Sequence, residues 1–118
     1  MKWTVTLPWP KPILWPNRNA HWGRLHAARK KRKADAFYAA QEVGLRKVTA
    51  STLKLLLTFH PPDRGRRDLD NAVAAMKADI DGLAVAAGID DSRFTYGPPM
   101  FGEPRGPLGE VVVIVEAR

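Results

Sequence analysis

The chain has no cysteine. That excludes a disulfide framework and a thiolate metal site, and it fits a reducing cytoplasm. No stretch approaches the roughly 18 consecutive apolar residues of a membrane helix, so no membrane partner is expected. The opening MKWTVTLPWPKPILWP is apolar but broken by Lys2, Lys11 and four prolines. It lacks the h-region and small-residue cleavage site of a signal peptide. Histidine is scarce as well. His21, His26 and His60 have no metal-ligand spacing, and none is assigned a role. Acids are nearly missing from the first part of the chain. Residues 1–50 hold eleven Lys and Arg against two acids, whereas residues 51–118 hold eight against ten.

The remaining composition describes one globular domain over residues 1–118. A chain of 118 residues buries roughly two thirds of its extended-chain surface, enough for one core. Hydrophobic residues make up 45% of it, which argues against disorder. A net charge of +7, concentrated in the first half, points to a polyanion and first of all to nucleic acid. A solubilising surface is the other reading.

WTVTLP (Trp3–Pro8) reads as a short strand stopped by proline. WPKPILWPNRNAHWG has neither helical nor strand period and reads as an extended loop. Residues from about Leu25 to Lys47 are rich in helix formers, with Leu25, Ala28, Phe37 and Val43 as candidates for the buried side. Arg29 to Lys33 are five consecutive bases. Five in a row wrap around a helix and cannot share one face. STLKLLLTFH (Ser51–His60) reads as a strand. A second helix is expected from Asp70, as N-cap, to a stop at Gly88. DDSRFTY suggests a short strand after a turn, residues 97–109 a loop, and GEVVVIVEA (Gly109–Ala117) a final strand. The expected fold is α+β in the order β-α-β-α-β-β, a small mixed sheet with two main helices packed on it.

All four tryptophans, Trp3, Trp9, Trp15 and Trp22, lie in the first 22 residues. They could stack on exposed bases or pack a proline-rich loop onto the sheet; packing is expected for most.

Within this basic chain, RRDLDNAVAAMKADIDG (Arg66–Gly82) carries four aspartates, and Asp90 and Asp91 follow. In an extended chain, Asp68 and Asp70 point the same way, with Cα atoms about 6.5 Å apart. One oxygen-loving cation such as Mg²⁺ can bridge such a pair. A third carboxylate from Asp90 or Asp91 could complete the set. On a continuous helix, Asp70, Lys77 and Asp81 form one polar stripe. Val73, Met76, Ile80, Leu83 and Ala87 flank it as the core contact, and Asp79 lies opposite in solvent. Asp81 stands about 16 Å of rise from Asp70, too far to share an ion with it. It pairs instead with Lys77, one turn away. Lys77 could reach back and neutralise a phosphate oxygen as charge builds on it. Each piece also has a plain structural reading, as a cap, a surface ion pair or a turn.

PPDRGRRDLDN (Pro61–Asn71), then K-x-x-x-D (Lys77–Asp81), then DDSRF (Asp90–Phe94), resembles the RusA family of Holliday junction resolvases. VTLPWP (Val5–Pro10) and the Asn17–Arg18 pair resemble that family's start. The likeness runs over roughly residues 4–95. It implies a small phage or prophage-type, Mg²⁺-dependent endonuclease, active as a homodimer in the bacterial cytoplasm, that resolves four-way DNA junctions by symmetric paired nicks. It implies metal ligands at Asp68, Asp70 and Asp91, a catalytic role for Lys77, and supporting roles for Asn71 and Asp90. One or two ions fit, with Mn²⁺ as a substitute for Mg²⁺. The family lysine follows its D-N pair by about one helical turn, whereas Lys77 follows Asn71 by nearly two, as if three residues were inserted. Candidate DNA-binding residues are Arg18, Arg24, Arg29, Lys30, Arg32, Lys33, Arg64, Arg66 and Arg67. Two rivals are a non-catalytic DNA-binding module and a nuclease of flaps or single strands.

Overall fold

Residues 1–16 and 21–118 are described in the computed structural model; Arg18, a candidate DNA contact, lies outside them. The strands are β1 (Lys2–Pro8), β2 (Leu53–His60), β3 (Phe94–Tyr96), β4 (Met100–Phe101) and β5 (Glu110–Ala117). The α-helices are α1 (Trp22–Glu42), α2 (Leu69–Ala74) and α3 (Lys77–Ala87). Short 3-10 turns cover Pro12–Leu14 and Asp91–Arg93.

Burial alternates with period two along β2 and β5, as successive side chains point to opposite faces of the sheet. Its order is β1-β5-β2-β3, with β4 also paired to β2. β5 runs antiparallel to both β1 and β2, while β3 and β4 run parallel to β2. Register lines the buried residues up in rows. Val5 faces Val113, which faces Leu57, and Leu7 faces Val111, which faces Phe59. These rows join Ala36, Ala40, Met76 and Leu83 of the helical layer in one core. The intervening residues, Leu56, Val112 and Ile114 among them, are half-buried on the opposite face. The expected class therefore holds: a mixed sheet with two main helical segments packed on it. No helix among the described residues is long and apolar enough to cross a membrane. Residues 97–109 are not all loop, because β4 adds two residues to the sheet there.

The second helix differs from its expected form. Asp68, not Asp70, is the N-cap; its Oδ1 accepts from the Asp70 backbone N–H at 2.9 Å. The helix is then interrupted at Ala75 and Met76. Met76 adopts φ −93° and ψ 6°, and its N–H bonds back to Val73 O at 3.0 Å, a tightened turn. Burial explains the break. A straight helix turns one stripe inward, yet Ala75, Met76, Ala78, Asp79 and Ile80 are all buried. Re-aiming the axis before Lys77 lets residues on both sides of the break reach the core. The expected stop stands: Gly88 ends α3 at φ 70°, a left-handed position that suits glycine.

α1 lies close against α3. A Cβ on Gly82 would fall 2.3 Å from Lys33 O and 3.0 Å from Ala36 Cβ, so only glycine admits this approach. Beside it, Arg32 corrects the expectation of a DNA-facing side chain. Its Nε donates to both carboxylate oxygens of Asp79, at 2.6 and 3.0 Å, and its Nη2 donates to Pro8 O at 2.6 Å. Asp79 was expected in solvent but is fully buried. Both follow from α3 covering this side of α1. Burial pushes the Asp79 carboxyl up to about 6, against the opposing pull of the Arg32 hydrogen bond and charge. Of the expected buried side of α1, Leu25, Ala28 and Phe37 are half-buried and Val43 is exposed.

Truncating Arg32 strands a carboxylate in the interior. Arg32→Ala is expected to lower unfolding free energy by about 3–5 kcal/mol in urea titrations. The double replacement Arg32→Met with Asp79→Leu should recover most of that loss. A single-variant loss below about 1 kcal/mol would show that the pair does not anchor the helices. The sign with pH follows from the raised carboxyl. Between 3.8 and about 6 the unfolded chain has released this proton and the folded chain still holds it, so this contribution to stability declines as pH rises through that window. The double variant should lack that decline.

Candidate functional site

At the start of α2, Asp68 is extended and gives one oxygen to the cap, while Asp70 sits exposed in the first turn. Asp68 and Asn71 line an open cleft of about 430 Å³ with Trp9, Trp15, Arg66 and Arg67. The aromatic wall is rigidly seated. Trp9 and Trp15 lie 5.9 Å apart between ring centroids, Trp9 meets the ring of Phe59 edge-on, and the Trp15 indole N–H donates to Pro10 O at 3.1 Å.

The three arginines before the acids have different tasks. Arg67 organises the loop: Nη1 donates to Asp63 O and Gly65 O, and Nη2 donates to Asp63 Oδ1 at 2.9 Å. Its guanidinium also stands 5.4 Å from the Trp9 ring centroid, within cation–π range. The Gly65 amide, then Arg67, holds the Asp63 carboxyl below its usual range. Arg64 pairs with Glu103 at 2.9 Å in solvent. Arg66 is exposed at the cleft.

Lys77, the first residue of α3, bridges two acids. Its Nζ lies 2.8 Å from Asp81 Oδ1 and 2.8 Å from Asp91 Oδ2. The hydrogen bonds to Asp81 and then Asp91 raise the ammonium well above its usual range, so it stays charged. Asp90 turns the chain ahead of Asp91. It accepts from Ser92 N–H at 3.0 Å and from the Ser92 hydroxyl, and these bonds hold its carboxyl below the usual range. Asp81, Asp90 and Asp91 line a second open cleft of about 370 Å³ together with Lys33 of α1.

The fold thus gathers Asp68, Asp70 and Asn71 at one helix start, with Arg66 and Arg67, and gathers Lys77, Asp81 and Asp91 at the next. Among the described residues, no three of His, Cys, Asp and Glu lie close enough to hold one ion. The expected stripe of Asp70, Lys77 and Asp81 is divided by the break, since Asp70 belongs to α2 and the other two to α3. Carboxylate oxygens nonetheless suit a hard divalent ion, and Mg²⁺ is commonly held by one or two carboxylates with water completing its shell. Asp68 and Asp70 supply such a pair.

Arg24, Arg29, Lys30 and Lys33 are exposed along α1. Two participants, Ser92 and Tyr96, carry no role in the sequence reading. Ser92 was signalled by its place two residues after Asp90. Tyr96, half exposed, has its phenol pushed up by burial and then by the charge of Asp91. Lys33 was grouped with the basic run and not with the acids it faces.

No family model matches the chain. Over 115 residues, it is 38% identical to an uncharacterized protein of Xylella fastidiosa strain Temecula1; the match covers 95% of this chain and 74% of the other. Similarity of that degree along almost the whole sequence shows common descent, and the chain belongs to the same family as the Xylella fastidiosa protein.

Proposed function

We propose that the chain is a Mg²⁺-dependent, RusA-like endonuclease that resolves four-way DNA junctions by paired nicks, acting as a homodimer in the bacterial cytoplasm. The observation that carries this reading is the meeting of Lys77 with Asp91, 14 residues apart in the chain and 2.8 Å apart in the fold. The lysine and the second acid pair of the motif are thus neighbours, beside the cleft that Asp81, Asp90 and Asp91 line.

Asp68 and Asp70 are the carboxylates that would hold Mg²⁺, or Mn²⁺ in its place, with water completing its shell; Asp91, expected as a third ligand, is not grouped with them and is held by Lys77 instead. When bound, the ion supplies a water acidic enough to attack a phosphodiester. The chain's own groups do the remaining work. Lys77 carries a permanent charge to the phosphate oxygen. Asp81, one turn along α3, keeps that ammonium in position. Asp90 and Ser92 shape the turn that presents Asp91. Arg66 and Arg67 border the cleft at Asp68 and offset phosphate charge. Exposed Arg24, Arg29, Lys30 and Lys33 gather the DNA backbone. Each chain has one copy of this acid-bearing segment, and a four-way junction has two equivalent strands to cut, so a twofold dimer matches the substrate's symmetry. The sheet face carrying Leu56, Val112 and Ile114 offers apolar surface for that contact.

A second reading, a non-catalytic DNA-binding module, is favoured by one observation. Asp68 and Asp90 each serve as a cap, and Asp81 and Asp91 together hold Lys77, so these acids already have partners inside the fold.

A synthetic four-way junction, a flap and a linear duplex, each with Mg²⁺, Ca²⁺ or chelator, separate the readings. Symmetric paired nicks are expected on the junction in Mg²⁺ alone. Asp70→Asn should abolish cleavage while junction binding persists, because the change removes a metal ligand and eases repulsion of phosphate. Nicking by that variant at the wild-type rate would rule out its metal role, and absence of any nicking by the wild type would favour the binding module. Cleavage restricted to the flap would move the substrate class.

Lys77→Ala is expected to slow cleavage by about 100-fold or more while changing junction affinity little, since one phosphate contact among many is lost. An equal fall in binding would make Lys77 a docking residue.

Light scattering of the free protein should give twice the 13.1 kDa chain mass. A single-chain mass, both free and on the junction, would end the dimer model.

A further inference from the structure

Three of the four tryptophans, Trp3, Trp9 and Trp15, pack against the core, but Trp22 is 76% exposed. It opens α1, and its ring stacks on His26 at 5.3 Å with an interplanar angle of 11°. Counting 100° per residue from Trp22, His26 falls at about 40°, Arg29 at about −20° and Lys33 at about 20°. The four form one narrow row. The same row continues into Ala40, at about 0°, which is fully buried. One side of α1 is therefore covered at its C-terminal end and bare at its N-terminal end, where an indole, an imidazole and two cations replace alanine. The row runs about 16 Å from Trp22 to Lys33. Lys33 lines the cleft of Asp81, Asp90 and Asp91.

We propose that this bare half of α1 is a stacking platform for an unpaired DNA base, with Trp22 against the base and Arg29 and Lys33 on the flanking phosphates. The inference rests on the nucleic-acid reading above and adds a binding subsite to it. Two physical facts favour an unpaired base over other occupants. An aromatic ring already stacked on one side offers its other face to a second flat ring, and any base has such a face. The neighbouring charges are cations spaced along the same row, complementary to a phosphate chain. A membrane surface would need a broader apolar face than one indole provides. The row spans about five base steps of duplex rise, so a base freed near a branch point lies within reach while its strand continues toward the acid cleft.

The test compares wild type, Trp22→Ala and Trp22→Phe, all carrying Asp70→Asn to prevent cleavage. Affinities are measured in low salt for single-stranded oligothymidylate and for a linear duplex of the same length, with tryptophan fluorescence followed in parallel. Wild type should bind the single strand with quenching. Trp22→Ala should lose about 5- to 150-fold in single-strand affinity, the range for losing one base–aromatic stack, along with most of the quenching. Trp22→Phe should keep most of the affinity, and duplex affinity should be unchanged in both. Because Trp22 is exposed, the urea midpoint should not move, which separates loss of binding from loss of fold. Equal loss on single strand and duplex, or no loss on either, overturns the platform while leaving the nucleic-acid reading in place. A wild type that binds neither DNA overturns both.

Discussion

Arg32 and Asp79 meet in the interior between α1 and α3, and the placement of the acid cluster depends on that contact. Each charge would be costly to bury alone. Together they satisfy each other, and the remaining guanidinium reach goes to the Pro8 carbonyl at the end of β1. One side chain thus joins a helix, a second helix and a strand. Gly82 works in the same place by a steric route, because a side chain there would strike the backbone of α1. Together they set the height and axis of α3. Lys77 and Asp81 on that helix are positioned as a consequence, as is the turn after it that carries Asp90 and Asp91.

A basic chain that concentrates its acids must prevent them from repelling one another, and this fold does so with neighbours. Lys77 stands between Asp81 and Asp91, Asp63 is held by Arg67, and Asp68 and Asp90 receive backbone N–H groups. The Lys77 pairs are largely exposed and contribute little to stability, on the order of 0–1 kcal/mol each. Their effect is positional. A charged ammonium is kept where two carboxylates converge, close to the exposed cations of α1. That juxtaposition of fixed positive charge and carboxylate oxygen is the arrangement on which the proposed phosphodiester chemistry draws.

The break before Lys77 bears on the motif itself. On one continuous helix Asp70 and Lys77 would share a stripe. The chain instead ends α2 at Ala74, turns through Ala75 and Met76, and starts α3 at Lys77. Core burial around Met76 accounts for this turn without reference to any ligand.

Local physics made much of this legible in the amino-acid sequence. The leucine-rich run in Ser51–His60 and the valine-rich run in Gly109–Ala117 marked the strands, Gly88 marked the end of α3, and the one-turn spacing of Lys77 and Asp81 announced their pair. Five consecutive bases on a helix cannot all face outward, so the run from Arg29 to Lys33 already required some of them to leave a shared DNA-facing side. Which one would turn inward was decided only when α3 packed there with Asp79 at the matching height. The meeting of Lys77 with Asp91, the break at Met76 and the bare row from Trp22 to Lys33 have the same origin. Periodicity and capping act over one or two turns and are written in neighbouring residues. Burial of a charge, and exposure of a tryptophan, depend on what distant segments cover, and only the packed structure determines that.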